Sequence, residues 1–140
     1  MTGKTVDDLH PGDEGRFSKT LSESDIYLFA GVTGDFSPAH VNEVFAKGSF
    51  FGGRIAHGLL TAGLISTVIA TSLPGPGSIY LRQELDFTAP VYAGDTITAH
   101  AKVLEVDAEK NRVLLETVCT NQKGRTVIKG RALVSPPKKQ

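Results

Sequence analysis

Apolar positions change their spacing once along the chain, near residue 78, and the elements divide there into helices and strands. Leu21-Ser22-Glu23-Ser24-Asp25 reads as a helix start, with Ser22 or Ser24 as the cap, acidic side chains in the first turn, and Ile26, Phe29 and Ala30 at helical spacing. Gly31 and Gly34 are expected to end that helix. Val41, Val44 and Phe45 share one face of a second, shorter helix expected from about 41 to 47. From His57 to Ala70 the chain is apolar around most of a helix circumference, which describes a buried helix. Extended to Ser72 it would be roughly 24 Å long at 1.5 Å per residue. Leu73-Pro74-Gly75-Pro76-Gly77 cannot prolong it.

Beyond that stop the period falls to two. Ile79, Leu81, Leu85 and Phe87 alternate with Tyr80, Arg82, Glu84 and Asp86; after the Ala93-Gly94-Asp95 turn, Ile97, Ala99, Ala101 and Val103 repeat the pattern. The alternation slips at Leu104, which predicts a bulge or bend, and residues 107–111 read as a hairpin loop. Residues 113–120 and 126–134 are the next strands, residues 15–19 a short edge strand, and residues 136–140 a frayed tail. Short loops predict antiparallel neighbours. The expected architecture is therefore α+β: an antiparallel meander of four strands, joined by the N-terminal strand, wrapped around the long helix. A helix apolar on all sides needs cover on both, and the second cover is expected to come from short helices or from another copy of the chain, giving a homodimer.

Composition narrows the function. A chain of 140 residues suits one domain spanning 1–140, large enough for its own core. Fifteen basic and fifteen acidic residues leave no net charge and no basic face, so nucleic acid is not an expected partner. The lone Cys119 and the polar N-terminus point to a reducing cytoplasm, with Cys119 an inert core residue. The apolar stretch from Gly58 to Ala70 is too short and too interrupted to span a bilayer.

The chemistry concentrates in Thr33-Gly34-Asp35-Phe36-Ser37-Pro38-Ala39-His40, a predicted turn that carries a carboxylate and an imidazole five positions apart. Gly34 opens backbone angles closed to other residues, and Pro38 keeps Ser37 out of helical geometry. Asp and His have intrinsic pKa values about 2.6 apart, so a converging pair can act on one proton or one water. Spacing alone leaves a structural alternative open, in which Asp35 forms an Asx-turn and His40 packs against the following helix.

Phe29 to His40, followed by Phe45-Ala46, Ile55-Ala56-His57-Gly58-Leu59-Leu60, residues 74–80 and residues 87–95, resembles the MaoC-type (R)-specific enoyl-CoA hydratases of the hot-dog fold along nearly the whole chain. The resemblance implies a dimer with acyl tunnels near its interface, the helix from His57 inside the sheet, and Asp35 and His40 as the catalytic pair. The family motif has Asn where this chain has Ser37, whose shorter side chain is expected to hold the turn through some of the same backbone bonds.

Hydrating a trans-2-enoyl thioester requires water at C3, a proton at C2, and stabilisation of charge on the thioester oxygen. Asp35 and His40 are assigned the water and proton, and the Gly58 amide, at the positive end of the long helix, is assigned the oxygen. His57 is expected to orient the loop through a backbone hydrogen bond, because positive charge is disfavoured at a helix N-terminus. No cofactor is required. A zinc site on Asp35, His40 and His57 lacks any recognised spacing, so no metal is expected. Phe36, Phe50, Phe51 and Tyr80 are candidate acyl-channel residues, and Arg54, Arg82 and Lys102 candidate contacts to coenzyme A phosphates; core and solvated surface are the plainer readings. The partner implied is an acyl-CoA thioester, with an acyl carrier protein thioester as the other carrier. Two further activities fit the same residues less well: a non-catalytic acyl-CoA-binding or partner subunit, which needs no base, and a thioesterase.

Overall fold

In the computed structural model, which describes residues 2–140, the chain runs β1 (Glu14–Thr20), α1 (Glu23–Thr33), α2 (Pro38–Val41), α3 (Glu43–Lys47), α4 (Gly58–Thr71), β2 (Ile79–Phe87), β3 (Thr96–Asp107), β4 (Arg112–Thr120) and β5 (Thr126–Ser135). Ser22 starts α1 with a capping box: its hydroxyl accepts from the Asp25 amide at 3.1 Å, and the Asp25 carboxylate accepts from the Ser22 amide at 2.9 Å. Lys19, 2.6 Å away, and that amide hold the Asp25 carboxyl below its usual range. Gly34, at φ 80°, closes the helix, whereas Gly31 lies within it and ends nothing. The single helix expected over 41–47 is two pieces, α2 and α3. Asn42 leaves helical geometry and its side chain caps α3 through the Phe45 amide at 3.0 Å.

The apolar run forms α4, and its stripe of Leu64, Ile65, Val68 and Ile69 packs against the sheet. Ile65 and Val68 are 1 % exposed or less, and burying each such side chain is worth about 1.5–3 kcal/mol. The opposite face, with Leu59, Ser66 and Ala70, stays open, so one protomer does not supply the two-sided cover that the composition of α4 demands.

The five strands form the antiparallel sheet of the hot-dog fold, in the order β1-β3-β4-β5-β2. β3, β4 and β5 are the expected meander and β1 joins it at β3, but β2 pairs with β5 rather than with its successor β3. The connection after β2 explains the difference. Thr88 donates to the Val127 carbonyl at 2.9 Å, Ala56 donates to that of Val91 at 2.7 Å, and Gly94 to that of Leu21 at 2.7 Å, so residues 88–95 cross to the far side of the fold before β3 begins. Leu104 is bulged, as the slip in alternation predicts, and Leu81 forms a second bulge.

Two cross-strand rows show how the sheet curves. On its outer face Glu14, Lys102, Glu116, Arg131 and Glu84 alternate in charge across all five strands. One register position away, the inner face carries Gly15, Ala101, Thr117 and Gly130, small residues that let the sheet close on α4. A Cβ on Gly130 would lie 1.7 Å from the Glu84 carbonyl oxygen, a backbone atom of β2 that cannot yield without breaking the strand pair. Gly130→Ala is therefore expected to cost about 2–4 kcal/mol of stability, read as a lower urea midpoint; an unchanged midpoint would contradict this packing.

Candidate active site

The Gly34 turn places Asp35 at the exit of α1, and Pro38 starts α2, whose third residue is His40. Asp35 is exposed and His40 half-buried. The Ser37 amide donates to Asp35 Oδ1 at 3.2 Å, and the Asp35 amide donates to Thr33 Oγ1 at 3.2 Å. Asp35 thus forms the Asx-turn, and that turn fixes its carboxylate without consuming it. The Ser37 side chain, expected to brace the turn, makes no capping bond; its backbone amide and carbonyl serve instead.

The two histidines are oriented by carbonyls, which only accept. His40 Nδ1 lies 2.7 Å from the Ile55 oxygen, so Nδ1 carries the proton and Nε2 presents a lone pair. His57 Nε2 lies 2.9 Å from the Asp35 carbonyl oxygen, so Nε2 donates and Nδ1 is left as an acceptor. The rings stack with centroids 3.8 Å apart and planes at 27°, and Phe29 packs on His57 from 4.8 Å. Asp35, His40 and His57 each bring a ligand atom within 4.8 Å of the others. With His40 Nδ1 engaged by the Ile55 carbonyl, His40 Nε2 and the Asp35 carboxylate remain able to accept hydrogen bonds from a small molecule.

Gly58 begins α4. The His57 carbonyl is first taken by the amides of Leu60 and Thr61, at 3.1 and 3.3 Å, which leaves those of Gly58 and Leu59 ahead of the first helical acceptor. A Cβ on Gly58 would stand 2.6 Å from two atoms of the Phe87 ring. Asp35, His40, His57 and Gly58 all border one cavity of about 700 Å³. Of the aromatics expected in an acyl channel, Phe51 lines this cavity, whereas Phe36, Phe50 and Tyr80 do not. Phe29 and Phe87 take that place. Phe29 stands four residues before Thr33 on the α1 face that meets the turn, a spacing that marks it in the sequence; Phe87 enters through the β2–β5 pairing, which local spacing does not reveal.

Arg54 is not free for a phosphate. Its Nε donates to Glu43 at 2.6 Å, its other nitrogens to Glu23 and to the Tyr27 hydroxyl, and its side chain is 15 % exposed. The Arg54 guanidinium in turn holds the Glu23 carboxyl below its usual range. This bridge ties α1 to α3 and anchors the residue before Ile55, whose amide donates to Ala39 and whose carbonyl orients His40. Cys119 is fully buried, and burial pushes its thiol up to about 12, so it stays a neutral core residue.

The chain is similar to known proteins along most of its length. A chain of Rhodospirillum rubrum named (R)-specific enoyl-CoA hydratase is 51 % identical over 94 % of this chain and 90 % of its own length. A 3-hydroxybutyryl-CoA dehydratase of Methylorubrum extorquens is 46 % identical over 96 % and 85 %. The solved structure of R-hydratase PhaJ1 from Pseudomonas aeruginosa superposes with a TM-score of 0.93 at 41 % identity, covering 99 % of this chain and 88 % of that one. The model of the MaoC like domain matches residues 9–124, from before β1 to the β4–β5 turn, and the chain belongs to that family.

Proposed function

We propose that this chain is an (R)-specific enoyl-CoA hydratase, adding water reversibly to trans-2-enoyl-CoA. The observation that carries the reading is the convergence on one cavity of two acceptors, the Asp35 carboxylate and His40 Nε2, with an amide free to donate at Gly58. Both acceptors hold a single water by its two hydrogens, leaving its oxygen lone pair for C3. As the C3–O bond forms, one O–H bond breaks towards the pair, and a proton from the pair is delivered to C2. The thioester oxygen carries the intermediate negative charge, which the Gly58 amide and the N-terminus of α4 stabilise. His57 positions this machinery by holding the Asp35 carbonyl and stacking on His40. Neither metal nor cofactor enters the balance.

The working unit in this reading is a homodimer in the cytoplasm, with residues 1–140 folding as one domain. β2 is an edge strand whose Ile79, Leu81 and Phe87 are 61, 43 and 54 % exposed, and Leu59 on α4 is 64 % exposed, so a second copy laid along β2 and α4 buries all four. Among the described residues no helix is long and apolar enough to cross a membrane. The test follows crotonyl-CoA absorbance, the chirality of the product and free thiol, on protein whose mass in solution is also measured. Loss of enoyl absorbance, an (R)-3-hydroxyacyl product, no thiol release and the mass of two chains are expected. Thiol release would make it a thioesterase, silence a binding subunit, and full activity in a monomer would contradict the dimer. Hydration of the carrier protein thioester alone would reassign the carrier.

A further inference from the structure

His40 sits on a helix too small to place itself. α2 is a single turn of four residues, none of them buried, so its position depends on the neighbours it is tied to. The acceptor for His40 Nδ1 is the carbonyl of Ile55, which follows Gly52, at φ 70°, and Gly53, so the loop before it does not fix its place. On one side the segment is held by residues 91–92, through the bond from the Ala56 amide to the Val91 carbonyl and the bridge of Ile55 to Tyr92. Towards α2 it meets the Ala39 carbonyl and the His40 ring, both on the short helix itself.

Arg54 supplies what is missing on that side. Its Nε donates at 2.6 Å to Glu43, three residues beyond His40, and its other nitrogens reach Glu23 and the Tyr27 hydroxyl on α1. Its backbone leads directly into Ile55. A closed ring therefore runs from the His40 imidazole to the Ile55 carbonyl, back through the Arg54 side chain to Glu43, and along the chain to His40. Breaking that ring leaves the 2.7 Å bond between imidazole and carbonyl without lateral support. Arg54 does not border the cavity, so its route to the site is this ring.

We infer that Arg54 is a positioning residue: by fixing the Ile55 carbonyl against His40, it keeps the proton on Nδ1 and leaves Nε2 to accept. Its effect on rate rests on the hydratase reading above. Which imidazole nitrogen carries the proton follows from the hydrogen bond the other makes, so a displaced carbonyl lets the proton move to Nε2, the atom that has to hold the water. Lysine does not replace the planar fork, because its single ammonium meets one carboxylate or the other and not acceptors on two helices. Loss of the guanidinium spares the fold, since the Glu23 and Glu43 side chains are 53 and 46 % exposed and become hydrated.

The test compares the wild type with Arg54→Met, Arg54→Lys, Glu43→Ala and Glu43→Gln. It reads kcat and KM for crotonyl-CoA and, on the unliganded protein, the nitrogen NMR shifts of the His40 ring. Arg54→Met, Arg54→Lys and Glu43→Ala are expected to lower kcat by about 10²-fold with KM within about twofold, and to move His40 from the Nδ1–H form towards the Nε2–H form. Glu43→Gln keeps an oxygen for Nε and is expected to stay near the wild type in both readouts. A merely structural role would lower the yield of folded protein and leave the His40 nitrogens of that protein unchanged. Wild-type kcat in Arg54→Met, a fall in kcat with no change at the His40 nitrogens, or a rise in KM alone would overturn the inference. Glu43→Ala is judged by the same outcomes and decides the matter if Arg54→Met does not fold. A wild type that hydrates nothing would refute the hydratase reading, and the ring-nitrogen shifts would still show whether Arg54 sets the His40 proton.

Discussion

Asp35→Asn and His40→Ala are each expected to lower kcat by about 10²–10⁴-fold while the folded protein persists. Both side chains border the cavity on a turn whose ends other residues set. Gly34 closes α1 through its own amide, and Pro38 starts α2. Asparagine preserves an oxygen for the Ser37 amide, so Asp35→Asn keeps the turn and removes only the capacity to take a proton. His40→Ala loses one hydrogen bond to the Ile55 carbonyl, worth about 1 kcal/mol, which the core can absorb. Steady-state kinetics beside a urea melt separates the two effects. Rates within a few-fold of wild type in either variant would remove that residue from the chemistry.

Gly58→Ala is expected to lower kcat/KM by about 10²-fold with little change in stability. The added Cβ meets the Phe87 side chain and not backbone, so each protomer still folds, and the ring has to shift within the seam that the second copy covers in the proposed dimer. The cavity does not survive unchanged, because the methyl group and the displaced ring occupy the approach to the Gly58 amide. An acyl oxygen held further from that donor loses stabilisation chiefly in the charged intermediate, so kcat falls more than KM rises. A variant as active as wild type would show that the thioester oxygen is bound elsewhere.

The elements set by local chemistry were readable from the chain: the Ser22 cap, the Gly34 stop, the apolar run of α4 and the slip at Leu104. So was the turn carrying Asp35 and His40, since Gly, Asp and Pro act there on their immediate neighbours. What escaped depends on contacts distant in sequence. The pairing of β2 with β5 is decided by how residues 88–95 cross the fold, and alternation along β2 is the same whichever strand lies beside it. Leu81 and Phe87 belong to the apolar half of the β2 alternation, yet in one protomer they are exposed, because the pattern records a face to be covered and not the chain that covers it. Arg54 read as a free cation because Glu23 and Glu43, far from it along the chain, become its neighbours only through folding. Ser37 misled differently: its residue type suggested a side-chain brace, and the backbone already supplies it.

Asp35 and His40 acting on one shared water can be tested most directly by the double variant Asp35→Asn/His40→Ala. Groups that hold the same molecule lose their joint effect when either is removed, so kcat of the double variant is predicted to match that of the slower single variant within a few-fold. Losses that multiply, each residue costing as much in the other's absence as in its presence, would contradict a common water and assign the two side chains to separate tasks.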